Sequence, residues 1–397
     1  MQSRVSLNRM HVETRPEPAV HRQSGGSGKP LRVCMVVPYD ISEEGGVKRH
    51  AFHLAEALRR GGDHVEIAAP LRTGEPGVHV RGFGGVLNVP ANGADNHMAL
   101  LTPPWSVARF MQRGHFDVVH VHEPMVPMLP WYAVWMGNGA ARVSTFHMYA
   151  EREVAASRAA RAILARALYP SLHAGIAVSD AAAEYAGRYW RRPMDVIPNG
   201  VPTASFVPPP AAPRLPGAPL RLLFVGNWRD PRKGLPVLLD ACRELDRRGV
   251  AFTLDVVGKG TRTLDVSGLP GVTVHGVVDG EAALIERYQD CDVFVSPATG
   301  QESFGIVLLE AMACGRPVVC SDIRGYRDAA RAGGAVFVAP GDAGALAAAL
   351  ESLARAPERR AEMSERHRRH AERHDWTAIA AAVRNVYLKA RAPSPRR

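Results

Sequence analysis

Short apolar runs alternate with amphipathic segments along most of the chain. Residues 32–38 are largely apolar, and a turn with two glycines leads into residues 47–60, where apolar side chains recur at helical spacing. A second apolar run follows at 64–70. Strand, glycine turn, helix and strand in this order are typical of a parallel α/β sheet. We therefore predict strands at 32–38 and 64–70 joined by a helix.

The same alternation continues to residue 180. Three further apolar runs, at 116–124, 141–147 and 174–180, each end in polar side chains. Because ligands bind at the carboxyl ends of the strands in open parallel sheets, these ends mark a candidate site. The polar residues there are His122, Glu123, His147, Ser179 and Asp180.

A proline-rich stretch at 203–219 interrupts the pattern and is typical of an interdomain linker. Strand-like runs then restart at 220–226 and recur up to 317–322. We predict a protein of two α/β domains with a cleft between them. Their predicted bounds are 31–202 and 220–375, with a disordered tail at 1–30 and a final helix and tail at 376–397.

Composition places the chain among soluble globular proteins, with 46% apolar and 22% charged residues. The five cysteines have no metal-binding spacing, which favours a reducing compartment and therefore the cytoplasm. Residues 1–30 contain no apolar core of a secretory signal. The longest uncharged stretch, 124–141, is broken by prolines and glycines, so a buried helix is a better prediction than a membrane span.

The net charge of +10 is compatible with nucleic acid, an anionic membrane surface or small anionic substrates. No nucleic-acid-binding motif accompanies the basic residues, so we exclude nucleic acid. The one basic run, 355–374, contains His367, His370 and His374, which could share a helix face. We interpret this segment as a solvated charged helix rather than as a metal site.

Glu302 and Glu310 bracket an apolar run and are the most informative pair of carboxylates. The pattern predicts a helix from about residue 302 to Cys314, ended by Gly315. Unpaired N–H groups at its start would favour a diphosphate, and the two carboxylates could accept hydrogen bonds from sugar and ribose hydroxyls. From spacing alone, an N-terminal helix charge at Glu302 and an exposed position at Glu310 are an equal alternative.

Two loops add cations and glycines. Residues 230–234 place Arg232 and Lys233 beside a glycine, and such cations could neutralise phosphate oxygens and assist the departure of a nucleoside diphosphate. Gly45 and Gly46 would allow close approach of the backbone to a ligand, although a structural tight turn is equally compatible. The GxGxxG, P-loop, GxSxG and HExxH motifs are absent.

The motifs occur in the order PY-x5-GGV-x2-H (38–50), FDVVHVHEP (116–124), STFH (144–147), VSD (178–180), VIPNGV (196–201), PRKG (231–234) and ESFGIVLLEAMACGRPVV (302–319). Together they resemble the retaining glycosyltransferases of the large group 1 family that contains bacterial phosphatidylinositol mannosyltransferases. The resemblance covers residues 31 to 390. It implies a GT-B fold, in which two Rossmann-like domains face across a cleft and the C-terminal helix crosses back to the first domain.

The resemblance also implies the reaction. It implies transfer of a hexose, best predicted as mannose from GDP-mannose, to a lipid-linked acceptor such as phosphatidylinositol. The alternatives are a soluble inositol or glycan acceptor, or another GT-B enzyme such as a sugar-nucleotide epimerase. Retention of configuration, no metal and no cofactor beyond the nucleotide sugar are implied, together with a cytoplasmic location that extends to the inner face of the plasma membrane.

Residue roles carry over from the resemblance by position. Glu302 would hold hydroxyls of the donor sugar, Glu310 the donor ribose, and Lys233 the diphosphate. His147 would lie beside the reacting sugar, and no dedicated protein base is implied. The catalytic set is therefore His147, Glu302 and Lys233. The donor-binding set is Gly45, Gly46, Asn227, Arg232, Lys233, Phe304, Gly305, Ile306 and Glu310.

Two departures from the family pattern bear on these roles. Asn227 stands where the family usually has an arginine on the diphosphate, and Arg229 or Arg232 would have to substitute for it. The predicted membrane-facing helix, 103–114, has only two arginines, although Trp105, Phe110 and Met111 could insert shallowly into a bilayer.

Overall fold

The computed structural model describes residues 29–43, 45–91, 94–98, 101–151, 155–210, 217–260, 264 and 266–391. The predicted N-terminal tail falls almost entirely outside these residues.

The structure contains two parallel sheets and one short hairpin. The strands are β1 (Arg32–Val36), β2 (His64–Pro70), β3 (Val80–Phe83), β4 (Leu87–Ala91), β5 (Ala94–Met98), β6 (Val118–His122), β7 (Ala141–Phe146), β8 (Ala174–Ala177), β9 (Asp195–Val196), β10 (Leu220–Val225), β11 (Phe252–Val257), β12 (Val272–Gly276), β13 (Val293–Ser296), β14 (Val318–Ser321) and β15 (Val336–Val338).

Helices connect most of these strands. They are α1 (Gly46–Arg60), α2 (Pro104–Gly114), α3 (Leu129–Met136), α4 (Ala155–Leu168), α5 (Asp180–Gly187), α6 (Leu235–Arg247), α7 (Gly280–Asp290), α8 (Ile306–Ala313), α9 (Arg324–Ala330), α10 (Ala343–Ala354), α11 (Pro357–Glu372) and α12 (Trp376–Arg391).

The first domain is built on a seven-stranded parallel sheet in the order β3-β2-β1-β6-β7-β8-β9. The second domain is built on a six-stranded parallel sheet in the order β12-β11-β10-β13-β14-β15. Strands β1 and β6 are buried on both faces, which explains why their sequences read as continuous apolar runs. In α1 the apolar side chains at helical spacing, such as Leu54 and Leu58, pack into the core of the first domain.

The C-terminal helix crosses back to the first domain, as predicted. Trp376, Val383 and Tyr387 of α12 belong to the same buried cluster as residues of α1 and β1. Arg384 of α12 also forms an ion pair with buried Asp63, at 2.9 Å between Nε and Oδ2. The last helix of the chain is therefore part of the first domain's core.

The proline-rich segment 203–219 is described except for residues 211–216. Its first part packs on the second domain, where Phe206 is buried beside Tyr288. The backbone carbonyl of Phe206 accepts a hydrogen bond from Arg368 at 2.7 Å. The exact domain bounds stay a prediction.

Helix α11 differs from the expectation of a solvated charged helix. His367 and His370 are buried and hydrogen-bond to the backbone carbonyls of Arg316 and Ala329, at 2.8 Å each. Charged residues cover the outer face of α11, while these imidazoles fasten its inner face to the second domain. The prediction holds for the charged outer face and is wrong for these two histidines, because their ring nitrogens have carbonyl partners in the second domain.

All five cysteines are buried free thiols. Within the described part of the chain, no helix is both long and apolar enough to span a bilayer. The uncharged stretch 124–141 contains α3, a short and largely buried helix, as expected.

Candidate active site

The two domains meet at the carboxyl ends of their strands. The hydroxyl of Ser179, which follows β8, donates to the backbone carbonyl of Ser303 in the second domain at 2.5 Å. The backbone N–H of Ala181 donates to Asp328 Oδ2 at 3.0 Å. The strand ends singled out in the sequence therefore face the segment that holds Glu302 and Glu310.

Helix α8 begins at Ile306, four residues later than predicted. Gly305 precedes it with a φ of 92°, a left-handed conformation that an L side chain rarely adopts. A Cβ atom at Gly305 would lie 2.7 Å from the ring of Tyr326, so packing also requires glycine there. Glu302 consequently lies in the turn before the helix rather than in its first turn, and Phe304 is buried beneath it.

Lys233 and Glu302 meet in this turn. Lys233 Nζ lies 2.5 Å from Glu302 Oε1, and both side chains remain partly exposed. Lys233 ends a short 3-10 turn that Asp230 caps by accepting a hydrogen bond from the N–H of Arg232. Gly234 then adopts a φ of 75°, and a Cβ atom there would lie 1.9 Å from the carbonyl oxygen of Pro297. This close approach brings the PRKG loop against the end of β13.

Arg232 has a more structural position than predicted. Its guanidinium forms a fork with the carboxylate of Asp230, with nitrogen–oxygen distances of 2.6 to 3.1 Å, and donates to Gln301 Oε1 at 2.9 Å. The hydrogen bonds with Asp230 raise the pKa of Arg232. The charge of Arg232 is therefore directed at a carboxylate of its own loop.

Asn227 lies in the loop after β10, as expected. Its side-chain oxygen accepts a hydrogen bond from the backbone N–H of Arg229 at 3.2 Å, which is an Asx-type turn. Arg229 itself is exposed.

Glu310 is buried, with 3% of its surface exposed, so the alternative of an exposed position is wrong. Its Oε2 accepts a hydrogen bond from the hydroxyl of Tyr288 at 2.8 Å. Its Oε1 lies 2.8 Å from Nη1 of Arg49, which belongs to α1 of the first domain. Burial and the neighbouring Glu310 charge raise the pKa of Tyr288. A carboxylate in a buried helix is thus satisfied by partners from both domains.

Gly45 and Gly46 open α1 on the other side of the cleft. Gly45 has an extended backbone, with a φ of −169°, which any residue can adopt. A Cβ atom added at either glycine would meet no described atom within 4 Å. The folded protein itself therefore does not require glycine at these two positions, and open space lies beside them.

Four histidines gather at the ends of β6 and β7 and on α1. His147 Nε2 lies 2.9 Å from His122 Nδ1, and His50 packs edge-on against both rings. His50 Nδ1 lies 2.7 Å from Asn199 Oδ1, a contact that orients the ring. His120 lies behind them and contacts the hydroxyl of Tyr387 in α12 at 2.7 Å.

Burial sets the charge of this cluster. Desolvation lowers the pKa of His50 to about 4 and that of His120 to about 3. It also lowers the pKa of His122 and His147 well below the usual value. The imidazoles are therefore neutral near pH 7 and act as hydrogen-bonding groups rather than as cations.

The backbone of His147 is held by a carboxylate. Its N–H donates to Glu123 Oε1 at 2.6 Å, and Glu123 has a φ of 48°, which is uncommon for a residue other than glycine. Strained backbone of this kind concentrates at functional sites. Glu123 therefore positions His147.

Three of the histidines form the group of described residues that could hold a metal ion. The candidate ligand atoms of His50, His122 and His147 lie within 4.8 Å of one another. Two of the nitrogens, in His122 and His147, already share a hydrogen bond. The other ring nitrogen of His122 is buried and has no partner among the described atoms.

Comparison with known proteins identifies the family. Residues 44–205 match the family model described as Glycosyltransferase Family 4, and residues 219–356 match the model described as Glycosyl transferases group 1. The chain is 34% identical over 370 residues to a phosphatidyl-myo-inositol mannosyltransferase of Mycobacterium leprae. That alignment covers 90% of this chain and 96% of the relative. The chain belongs to the group 1 glycosyltransferases.

This group 1 glycosyltransferase also shares its fold with solved structures. A glycosyltransferase from Rickettsia africae superposes with a TM-score of 0.70 at 18% identity and covers 92% of this chain and 100% of its own. An Anabaena protein crystallised with UDP superposes with a TM-score of 0.68 at 18% identity and covers 90% and 100%. The predicted GT-B fold of this glycosyltransferase is confirmed.

Several site residues of this glycosyltransferase were missed from the sequence. Arg49 and Tyr288, which hold Glu310, and Asn199, which orients His50, were not singled out. Arg49 carried a signal, since it is a cation one helical turn after the glycine pair. Asn199 also carried one, since it lies in the VIPNGV motif at 196–201, although no role was assigned to it. Tyr288 carried none, because no motif contains it.

Helix α2 of the glycosyltransferase differs from the predicted membrane-facing helix. Trp105 is 74% exposed, but Met111 is buried and Phe110 packs against Phe83 and Phe116. Phe110 and Met111 therefore contribute to the core, because they lie on the helix face opposite the exposed residues. Only Trp105 of the three predicted apolar residues is available to a surface.

Proposed function

We propose that this glycosyltransferase transfers mannose from GDP-mannose to a lipid-linked acceptor such as phosphatidylinositol, with retention of configuration. The observation that carries the proposal is the ion pair of Lys233 and Glu302 at the start of α8, in a chain one-third identical over most of its length to a phosphatidyl-myo-inositol mannosyltransferase. The pair supplies a cation for phosphate and a carboxylate for sugar hydroxyls in one place.

The donor would lie along α8. Glu302 would accept hydrogen bonds from the sugar and Glu310 from the ribose. The first N–H groups of α8, at Ile306 and Val307, point out of the helix and would face the phosphates between them. The Anabaena protein that shares the fold was crystallised in complex with UDP, which is compatible with a nucleotide as the donor's leaving group.

The proposed transfer needs no protein base. Glu302 pairs with Lys233, Glu310 with Arg49, and Glu123 accepts the N–H of His147. Each of these carboxylates already has a hydrogen-bonding partner in the ligand-free protein, so none is a free base. The bond from the sugar's anomeric carbon to the phosphate oxygen would break as the acceptor oxygen bonds from the same face. The departing phosphate would take the acceptor's proton.

The neutral histidines would position the sugar. His122 has one buried ring nitrogen without a partner among the described atoms, beside His147. A sugar hydroxyl is a suitable partner for such a nitrogen, because hydroxyls both donate and accept. A neutral ring also adds no positive charge to the positive charge that develops on the sugar in the transition state.

The acceptor proposal extends to location. A lipid-linked acceptor requires contact with a bilayer, and Trp105 on α2 offers an exposed indole of the kind that rests at membrane interfaces. We place the protein on the cytoplasmic face of a membrane, as a peripheral protein. A soluble inositol or glycan acceptor is the competing possibility.

Substitution of the ion pair tests the donor site. Lys233→Ala and Glu302→Ala should each lower kcat/KM for transfer by at least about 100-fold, because each removes a charged contact that stabilises the transition state. The exposed pair Asp240 and Arg243 on α6, 2.7 Å apart, offers matched controls that should retain full activity. Activity like that of the wild type in both Lys233→Ala and Glu302→Ala would contradict the site.

Product analysis tests the substrates. Radiolabelled GDP-mannose should yield labelled lipid with liposomes that contain phosphatidylinositol, whereas UDP- and ADP-sugars should not. Label found only on free myo-inositol or a glycan would replace the lipid acceptor. Conversion of the donor to an epimer without transfer would overturn the proposed reaction.

A further inference from the structure

An ion pair joins the two walls of the proposed donor site. Arg49 lies in the first turn of α1 in the first domain, and Glu310 lies in α8 of the second domain, with 2.8 Å between Nη1 and Oε1. The Tyr288 hydroxyl occupies the other oxygen of Glu310. Both oxygens of the carboxylate proposed to hold the ribose are therefore already engaged.

A donor would have to change this arrangement. A ribose diol that hydrogen-bonds to Glu310 must share or take the oxygen that Arg49 contacts. When a buried charge loses its partner without a substitute, the free-energy cost is large. The ribose can replace Arg49 at Glu310 at a low free-energy cost only if Arg49 gains another anionic partner at the same time. The donor brings such a partner in its diphosphate.

The other cations of the site have nearby carboxylates. Lys233 pairs with Glu302, and Arg232 forms its fork with Asp230. The incoming diphosphate therefore meets Lys233 and Arg232 when both are already paired with carboxylates. Asp230 lies under its own loop and has no proposed role with the donor, so Arg232 has no reason to change partner. Glu302 and Glu310 both have proposed ligands in the donor, so donor binding can free Lys233 and Arg49. Of these two cations, Arg49 is the one that comes from the first domain.

Arg49 is also placed correctly along its helix. It follows Gly46 by three residues, and residues at this spacing are neighbours on a helix surface. Open space lies beside both glycines. Arg49 therefore shares a helix face with Gly46, and about one-third of its side-chain surface is exposed.

We propose that Arg49 exchanges partners during the reaction cycle, from Glu310 in the ligand-free protein to the donor diphosphate. The inference rests on the proposed nucleotide-sugar site and adds to it a phosphate-binding residue from the opposite domain. A guanidinium can form two parallel hydrogen bonds with a phosphate, as it can with a carboxylate. The exchange makes the contact of α1 with α8 depend on the phosphates, since Arg49 and Glu310 then meet through the ligand.

Binding measurements with matched ligands test the exchange. Calorimetry would compare GDP with guanosine, and UDP with uridine, on the full-length wild type and Arg49→Gln. The variant should bind the nucleoside diphosphate at least about tenfold more weakly, because a charge-assisted contact is lost. Its affinity for the nucleoside should stay equal or rise, because Arg49 no longer competes for Glu310. Arg60→Gln, at the exposed end of the same helix, is the control and should match the wild type in both measurements.

Two further variants separate the possible outcomes. Glu310→Gln should weaken the nucleoside and the diphosphate together, since it removes the ribose contact. Arg49→Lys keeps the positive charge but not the two parallel N–H donors of the guanidinium. Its affinity for the diphosphate should therefore fall between those of the wild type and Arg49→Gln. The lysine variant also serves as the test if the glutamine variant does not fold. Equal losses for nucleoside and diphosphate in both Arg49 variants, or no loss in either, would overturn the exchange. If the wild type binds none of the nucleotides, the proposed function itself fails.

Discussion

At the scale of single residues, the two glycines at the start of α1 differ from the other glycines of the site, because the fold does not require them. Neither has a protein atom within 4 Å of an added Cβ, and Gly45 has a backbone conformation open to any residue. By contrast, Gly234 and Gly305 have positive φ angles and close neighbours. The fold explains the last two glycines, whereas the proposed diphosphate site would explain the first two.

Gly46→Ala should preserve stability and lose activity. Alanine in a helix is favoured over glycine by up to about 1 kcal/mol, so the free energy of unfolding should not fall. The methyl group would occupy the space beside the proposed diphosphate, and kcat/KM should fall at least about tenfold. Denaturant unfolding and a transfer assay would measure the two effects. Gly187→Ala in α5, which also has open space, should leave both unchanged, and full activity in Gly46→Ala would contradict a ligand at this turn.

Some residues of the site could be predicted from the sequence, and others could not. Glu302 and Lys233 were both predicted as site residues, because glycines and charged side chains marked their loops. The contact of Arg49 with Glu310 joins residues 261 positions apart in different domains. It depends on how the domains pack, which no local pattern encodes. For the same reason, the sequence did not decide between a buried and an exposed position for Glu310.

At the scale of elements, α12 is fixed to the first domain by polar as well as apolar contacts. The hydroxyl of Tyr387 meets His120 Nδ1 at 2.7 Å, and the other His120 nitrogen meets Thr145 at 2.6 Å. Gly200 allows Trp376 to pack closely, since a Cβ atom there would lie 2.6 Å from the indole ring. The start of α12 therefore packs against Gly200, and its later turns hydrogen-bond to the sheet of the first domain through His120.

Tyr387→Phe should destabilise the protein by about 1–2 kcal/mol, because it leaves a buried nitrogen of His120 without its partner. Denaturant unfolding of the purified variant would measure this change. Tyr132→Phe is the matched control, since its hydroxyl donates to the sulfur of Met128, which is a weak acceptor, and the substitution should cost less than about 0.5 kcal/mol. An equal stability for the two variants would show that the Tyr387 contact contributes nothing.

Element prediction succeeded where the pattern was strong. Helix α1 and helix α12 lie where the apolar spacing placed them. The start of α8 was misplaced because the left-handed Gly305 stops the helix from extending back to Glu302. The β4–β5 hairpin was not predicted, since Pro90 lies within its first strand and a proline weakens the sequence signal of a strand.

At the scale of the whole molecule, buried neutral histidines link stability to pH. His50, His120 and His367 have pKa values of about 4, 3 and 4 in the folded protein because burial disfavours the cation. In the unfolded chain they would titrate near pH 6.5. Between these values the unfolded state binds more protons, so stability falls as the pH decreases through this window.

The free energy of unfolding should therefore decrease from pH 7 to pH 5, by roughly 2 kcal/mol for each fully buried histidine. Denaturant titrations at pH 7.5, 6.5 and 5.5 would measure the slope. His367→Gln should reduce this slope, whereas His64→Gln at an exposed position should leave it unchanged. A stability that does not vary over this range would contradict the statement that burial keeps these histidines neutral in the folded protein.

The return of α12 to the first domain has a consequence for biosynthesis. The ribosome releases residues 31–202 before the second domain exists, yet the core beneath α1 lacks Trp376, Val383 and Tyr387 until the last residues emerge. The nascent first domain therefore leaves the exit tunnel with an apolar face uncovered, and its folding is completed only after synthesis of the second. The first domain is thus synthesised first and completed last. A chain that ended before residue 376 would lack the part of the first domain's core that α12 supplies.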